Sequence, residues 1–253
     1  MYINKISYSS WKDFQKCQLY YLMKHVKNIR LPFTGTCHTV FGTSIHTCME
    51  KGILENLPRV NMDKIFLDAF NKEIEKNKII IAEKEDWIKR ANNILDSFWS
   101  KYFNKLVKNI YKAEWKFKVP LLNGKFTING IIDHCTYTKK GNIGVLDYKT
   151  GKLKSKNDES EMQLSMYSLA IEKLLGMIPE WLALFYLEHD KILWSFRDEK
   201  QNRETEEQLC GFYNKITLME EKDFEPNSKS CHFCDFKHLC EYIIGTDGEG
   251  VVR

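Results

Sequence analysis

Apolar residues recur three or four apart at Trp11, Phe14, Cys17 and Tyr21, which predicts a helix over 10–28 with Ser10 and Asp13 as a capping box and Cys17 on the buried face. After a polar stretch containing Gly and Thr, Gly42 opens a short helix bearing His46 and Met49. Two longer stripes, Met62-Ile65-Phe66-Ala69 and Trp87-Ala91-Ile94-Leu95-Phe98-Tyr102-Leu106, predict packed helices between 61 and 108. The period then falls to two: AEWKFKV (113–119), FTINGIIDHCTY (126–137) and IGVLDY (143–148) read as strands, with Lys139 to Asn142 as the turn of an antiparallel ribbon. A charged loop, Gly151 to Ser160, leads into a helix with Met162, Gln163, Met166, Tyr167, Ala170 and Leu174. A strand from Trp181 to Leu187, a turn at His189-Asp190, a strand from Ile192 to Phe196 and a helix at about 203–219 complete the pattern. With neither a repeat nor a long linker, these elements predict an α/β fold in which helices flank one central mixed sheet.

Composition narrows the class. The 253 residues are 43% hydrophobic and 28% charged with 5 Pro and 13 Gly, which excludes wholesale disorder, collagen and a disulfide miniprotein, and predicts a single domain over 1–253. The longest run without Asp, Glu, Lys or Arg, Leu31 to Met49, is too polar to cross a bilayer, and MYINKISYSS lacks the pattern of a secretory peptide, so a cytoplasmic protein with no membrane partner is expected. In that setting the eight cysteines are thiols or metal ligands rather than disulfides. Cys37, Cys48, Cys135 and Cys210 are scattered and read as small buried residues, whereas Cys231, Cys234 and Cys240 form C-x2-C-x5-C in SCHFCDFKHLC.

The strand period puts Asp147 and Lys149 on one face, about 6.6 Å apart along the chain, with Tyr148 on the other. If the 139–142 turn pairs its strands, Asp133 reaches the same place. Two carboxylates buried together call for a cation, and oxygen ligands favour Mg²⁺ or Mn²⁺, beside which Lys149 could hold or polarise an attacking water. Taken singly, each residue has a plainer reading: Glu114 as a charge at a strand edge, Gln163 and Tyr167 as a helical pair four apart that caps the core, and His46 as a half-buried helical histidine.

The net charge of +4 is small, but Lys139, Lys140, Lys149, Lys152, Lys154 and Lys156 crowd around the Asp147 strand, where a phosphate backbone would find positive charge. Trp11, Tyr20 and Tyr21 could stack on bases, although core packing explains them as well. No P-loop motif occurs, so no motor is expected within these 253 residues. The thiolates of C-x2-C-x5-C suit a metal, and His232 or His238, close by in sequence, would permit a Cys3His zinc site.

The order His46, Glu114, Gly130-Ile131-Ile132-Asp133, Asp147-Tyr148-Lys149 and Gln163-x3-Tyr167 resembles the motif series of the RecB-like branch of PD-(D/E)XK nucleases. The opening SYSSWKDFQKCQLYY is similar to that branch's start, and an early cysteine joined to a late C-x2-C-x5-C resembles its iron–sulfur members, among them CRISPR-associated RecB-like exonucleases and the AddB nuclease domain. Gln18 stands where many relatives have proline. The resemblance runs from Ser7 to Tyr242 and weakens over a helical insertion at about 55–108.

It implies a restriction-endonuclease-like core in which His46, Asp133, Asp147 and the Tyr148 carbonyl bind Mg²⁺ or Mn²⁺ and Lys149 activates water. Glu114 would support catalysis, Gln163 and Tyr167 would order the site or substrate, and Lys152, Lys154, Lys156 and Tyr167 would meet the nucleic acid. Cys17, Cys231, Cys234 and Cys240 would hold a 4Fe-4S cluster, with zinc as the alternative, closing the 224–243 region onto Cys17. The implied activity is hydrolysis of DNA from single-stranded ends, 5′ to 3′, in recombination, repair or replication, alongside a separate helicase, recombinase or single-strand-binding protein. End trimming in CRISPR adaptation and a noncatalytic DNA-binding scaffold are the rival expectations.

Overall fold

The computed structural model describes residues 3–31, 35–153, 158–240 and 242. Its helices are α1 (Tyr8–Lys16), α2 (Gln18–Tyr21), α3 (Cys37–Leu54), α4 (Met62–Asn77), α5 (Lys84–Phe98), α6 (Asn104–Lys108), α7 (Asp158–Leu175) and α8 (Glu199–Leu218). Its strands are β1 (Lys5–Ile6), β2 (Ile110–Leu121), β3 (Phe126–Tyr137), β4 (Ile143–Lys149), β5 (Trp181–Tyr186) and β6 (Lys191–Ser195). The chain divides into two compact units, one made of residues up to 34, 118–129 and from 204 onward, the other of 35–117 and 130–203.

The second unit carries most of the mixed sheet. β3 and β4 pair antiparallel from His134↔Leu146 to Tyr137↔Ile143, β4 and β5 pair parallel from Gly144↔Trp181 to Lys149↔Tyr186, and β6 returns antiparallel to β5. Leu146, Tyr148, Ala183 and Phe185 share a core with Phe41, Ile45, Phe66, Phe70, Leu95 and Phe98 of α3, α4 and α5. Each of the leucine, isoleucine and phenylalanine side chains among them contributes roughly 1.5–3 kcal/mol by leaving water. The alternate residues Val145, Leu182 and Leu184 are also buried, so β4 and β5 are covered on both faces, as parallel strands require.

In the first unit, β1 runs parallel to the start of β3 through Lys5↔Thr127 and Ile6↔Ile128. Phe14, Tyr21, Phe212 and Phe224 pack edge-on or stacked, with centroids 5.0 to 6.5 Å apart. The N-terminal helices are tied to the C-terminal segment by hydrogen bonds from Asn227 and Ser230 to the Lys16 carbonyl, at 2.8 and 3.1 Å, and from the Tyr20 hydroxyl to Asp235 at 3.1 Å. Tyr20 and Tyr21 are buried, so they pack rather than present faces for stacking.

Helix boundaries depart from the periodicity at three places. The first helix is capped by Ser7 and Ser10, not by Ser10 and Asp13, and it breaks at Cys17, whose backbone is extended (φ −165°, ψ 122°). Cys17 therefore lies in the joint between α1 and α2 rather than on a helical face. α3 starts at Cys37, where Thr36 and Thr39 form the cap, instead of at Gly42. α8 starts early because Asp198 and Gln201 bond reciprocally: the Gln201 N–H donates to the Asp198 carboxylate at 2.8 Å and the Asp198 N–H to the Gln201 side chain at 3.0 Å.

Candidate active site

The β3–β4 ladder ends at His134↔Leu146, and the acids stand just beyond its last rung. There the Asp133 side chain takes the place of a backbone partner, accepting the Tyr148 N–H at 2.7 Å. Tyr148 enters the core on one face, while Asp147 and Lys149 turn to the other, their charged ends 2.5 Å apart. α7 presents Gln163 and Tyr167, one turn apart, to that pair. The Lys149 ammonium donates to the Gln163 carbonyl oxygen at 2.9 Å, the Gln163 amide donates to Asp147 at 3.0 Å, and the Tyr167 hydroxyl donates to the same Asp147 oxygen at 3.1 Å. The Gln163 amide also reaches the Tyr167 hydroxyl at 2.9 Å, which makes the four side chains one closed network.

A second group lies beside it. His46 Nδ1, on α3, is 3.5 Å from Asp133 Oδ1 and 3.9 Å from Glu114 Oε1. Among the described residues, His46, Glu114 and Asp133 form the group whose candidate ligand atoms all lie within 4.8 Å of one another. One nitrogen and two carboxylates at this spacing suit a divalent cation with mixed oxygen and imidazole ligands. The donor set fits a metal on chemistry as well as distance, because it concentrates negative charge in a half-buried place.

Glu114 reaches the site through a local break in the strand. Its φ of 45° is left-handed, and the alternation of buried and exposed side chains that holds from Lys116 to Leu121 is lost around it. A left-handed residue inside a strand costs on the order of 1–3 kcal/mol and re-aims its side chain, a device found next to active sites. The neighbouring strand also needs Gly130, where a Cβ would meet the Phe117 ring at 2.6 Å.

The protonation states follow from the crowding of charge. Burial works against a charged imidazole, but hydrogen bonds to Asp133 and Glu114 outweigh it and push His46 up to about 10. Burial and then the charge of Asp147 raise Asp133, only partly offset by His46 and the Tyr148 N–H. Burial likewise opposes the Lys149 ammonium, yet Asp147 and Asp133 hold its pKa above that of an ordinary lysine. Tyr167 is raised well above 10 by burial and by the two aspartates, so its hydroxyl keeps its proton. His134, on the buried side of β3, is pushed down to about 4 by burial and stays neutral.

Of the residues singled out in the sequence, His46, Glu114, Asp133, Asp147, Lys149, Gln163 and Tyr167 thus stand in one unit and in two adjoining groups. Glu114, read as a supporting residue or a surface charge, is a full member of the candidate ligand group, whereas Asp147 is taken up by Lys149, Gln163 and Tyr167. Lys152 is exposed, and Lys154 and Lys156 lie outside the described residues. In the other unit, Cys17, Cys231, Cys234 and Cys240 line one small cavity with Tyr20 and Met23. Among the described residues these four thiols are not gathered into a group of ligand atoms within 4.8 Å of one another, so the expected cysteine cluster is not seen as a formed ligand set.

The PD-(D/E)XK nuclease superfamily matches residues 5–241, and the chain belongs to that superfamily. Its α/β core, a mixed sheet with flanking helices, is of the restriction-endonuclease-like kind. The crystal structure of a "Putative exonuclease" from Eubacterium rectale is similar at 15% identity, with a TM-score of 0.57, over 99% of this chain and 90% of that one. A second solved structure, SSO0001, shares 16% identity over 92% of this chain and 96% of its own, at a TM-score of 0.38. No curated protein matches the sequence. Among the described residues no helix is long and apolar enough to cross a membrane.

Proposed function

We propose that this chain is a Mg²⁺- or Mn²⁺-dependent exonuclease of the RecB-like branch that hydrolyses phosphodiesters at single-stranded DNA ends, 5′ to 3′, in recombination, repair or replication. The observation that carries the reading is the adjacency of a cation-seeking group, His46, Glu114 and Asp133, to a fixed ammonium, Lys149, clamped by Asp147 and Gln163. The exonuclease name of the Eubacterium rectale structure agrees with it.

His46, Asp133 and Glu114 would hold the ion, and Asp147 and the Tyr148 carbonyl are proposed as its further ligands. A divalent ion in this place lowers the pKa of a bound water and offsets charge on the phosphodiester. The chain's own part is positioning and charge. Lys149, kept protonated by Asp147, donates to the attacking water or to the scissile phosphate and stabilises the charge that develops there. Gln163 and Tyr167 fix the Asp147–Lys149 pair and so orient the ammonium.

The cysteines belong to the same proposal. Cys17, Cys231, Cys234 and Cys240 would carry a 4Fe-4S cluster with a structural role. They line one cavity, and the Cys231 and Cys234 thiols are raised by burial and by the neighbouring thiols. Four thiolates can hold either a 4Fe-4S cluster or tetrahedral zinc, and metal analysis distinguishes them. Protein purified without oxygen should then be brown and contain about four irons per chain; one zinc and no iron would reverse the assignment.

The test of activity is an end-labelled single-stranded oligonucleotide with Mn²⁺. Wild type should shorten it progressively, and Asp147→Ala and Lys149→Ala should not. Equal digestion by all three proteins would place the chemistry elsewhere, and no digestion by wild type would favour a noncatalytic DNA-binding scaffold.

A further inference from the structure

The end of β4 does not hold itself in place. Lys149 is its last residue, and the chain leaves the sheet at Thr150. At that point α5 contributes Arg90, whose guanidinium donates to the Thr150 carbonyl at 3.3 Å and forms a two-pronged pair with Glu188, through Nε at 2.8 Å and through Nη2. Glu188 lies in the turn Leu187–His189 that follows β5, and β5 is the strand paired with β4 through Lys149↔Tyr186. One arginine therefore ties together the two parallel strand ends at the edge where the candidate site is built.

The guanidinium is itself fixed. Its carbon centre lies 4.7 Å from the centroid of Phe41 and 5.0 Å from that of Trp87, and Arg90 and Glu188 are 29% and 21% exposed. Planar stacking with a bidentate carboxylate is an arrangement lysine cannot reproduce. Two further contacts hold the same stretch. Gly42 of α3 lies so close that a Cβ there would be 3.1 Å from the Thr150 hydroxyl, and the Leu153 N–H donates to His189 at 3.2 Å. Residues 150 to 153 are thus fastened at both ends to residues 188 and 189.

We infer that Arg90 is a positioning residue for the reaction: with Glu188 it locks the Thr150 backbone and so sets where the Lys149 ammonium points. This gives the helical segment at 55–108 a task in the chemistry, that of a clamp on the strand end. The inference rests on the nuclease reading above. A fixed ammonium matters because displacing a reacting group by about 1 Å can cost on the order of 10²-fold in rate.

The test compares Arg90→Gln, Arg90→Lys, Glu188→Gln and the double variant Arg90→Gln/Glu188→Gln with wild type, measuring kcat and KM on a single-stranded oligonucleotide, Mn²⁺ affinity by calorimetry, and Tm. Arg90→Gln and Glu188→Gln should each lower kcat by on the order of 10- to 100-fold, with KM and Mn²⁺ affinity within about twofold of wild type. The double variant should be no worse than the more affected single one, because both changes release the same lock. Arg90→Lys should recover little. Raised KM in Arg90→Gln with Glu188→Gln unaffected would mean that Arg90 binds substrate directly, and a lowered Tm with unchanged kcat would reduce it to a stabilising contact; either result overturns the inference. If wild type does not cleave, the nuclease reading itself fails, a result distinct from any ordering of the variants.

Discussion

In the unit that carries β4, the candidate ligands hold one another. Asp133 is oriented by a backbone N–H, His46 lies between Asp133 and Glu114, and Asp147 accepts from Gln163 and Tyr167 while pairing with Lys149. In the other unit the four cysteines come from a break between two helices and from a C-terminal segment of turns, and their surroundings are apolar: Tyr20, Met23, Phe236 and Leu19. Carboxylate and imidazole ligands can be arranged before a metal arrives, because protons and hydrogen bonds stand in for it. Thiols have weaker hydrogen bonds to offer, so their arrangement depends on packing and on whatever they bind.

The largest effect is expected at the thiols. Cys234→Ser should remove the iron and cost on the order of a few kcal/mol of stability, seen as a lower Tm, while Mn²⁺ binding by the other unit survives. Loss of Mn²⁺ affinity together with the iron would show that the two sites do not assemble by separate means.

Glu114→Gln should have a smaller effect. Removing one charge from the ligand group while keeping its shape should weaken Mn²⁺ binding by roughly 10- to 100-fold and leave iron content unchanged. Calorimetry that gave the same Mn²⁺ affinity would return Glu114 to the role of a surface charge.

The smallest effect is one of pH. The folded His46 pKa of about 10 is above the ordinary histidine value of 6.5, so in metal-free protein His46 adds stability that is fully present below about 6.5 and is lost as pH rises through 10. With chelator present, the Tm gap between wild type and His46→Gln should shrink over that window. Mn²⁺ affinity should climb over the same range, because a metal must displace the His46 proton. A constant Tm gap from pH 6.5 to 10 would contradict the assignment of the proton to His46.

How far the sequence reached depends on whether a regular period governed the residue. Asp133, Asp147 and Lys149 were readable because a hairpin with a short turn fixes register, and Gln163 and Tyr167 because they stand one helical turn apart. Glu114 was not, since the left-handed kink that aims it inward erases the alternation by which strand faces are read. Apolar spacing continues across Cys17 and so predicts a helical position, although the chain there is extended and the helix restarts at Gln18. Arg90 gave no signal at all: it lies within an apolar stripe, and its partners Glu188 and Thr150 are 98 and 60 residues away.

The most direct measurement is anomalous diffraction from a crystal grown with Mn²⁺. A manganese peak is expected bonded to His46, Asp133 and Glu114, at about 2.0–2.3 Å from their ligand atoms, on the side facing Lys149. A manganese bound anywhere else in the chain, with those three side chains still hydrogen-bonded only to each other, would contradict it.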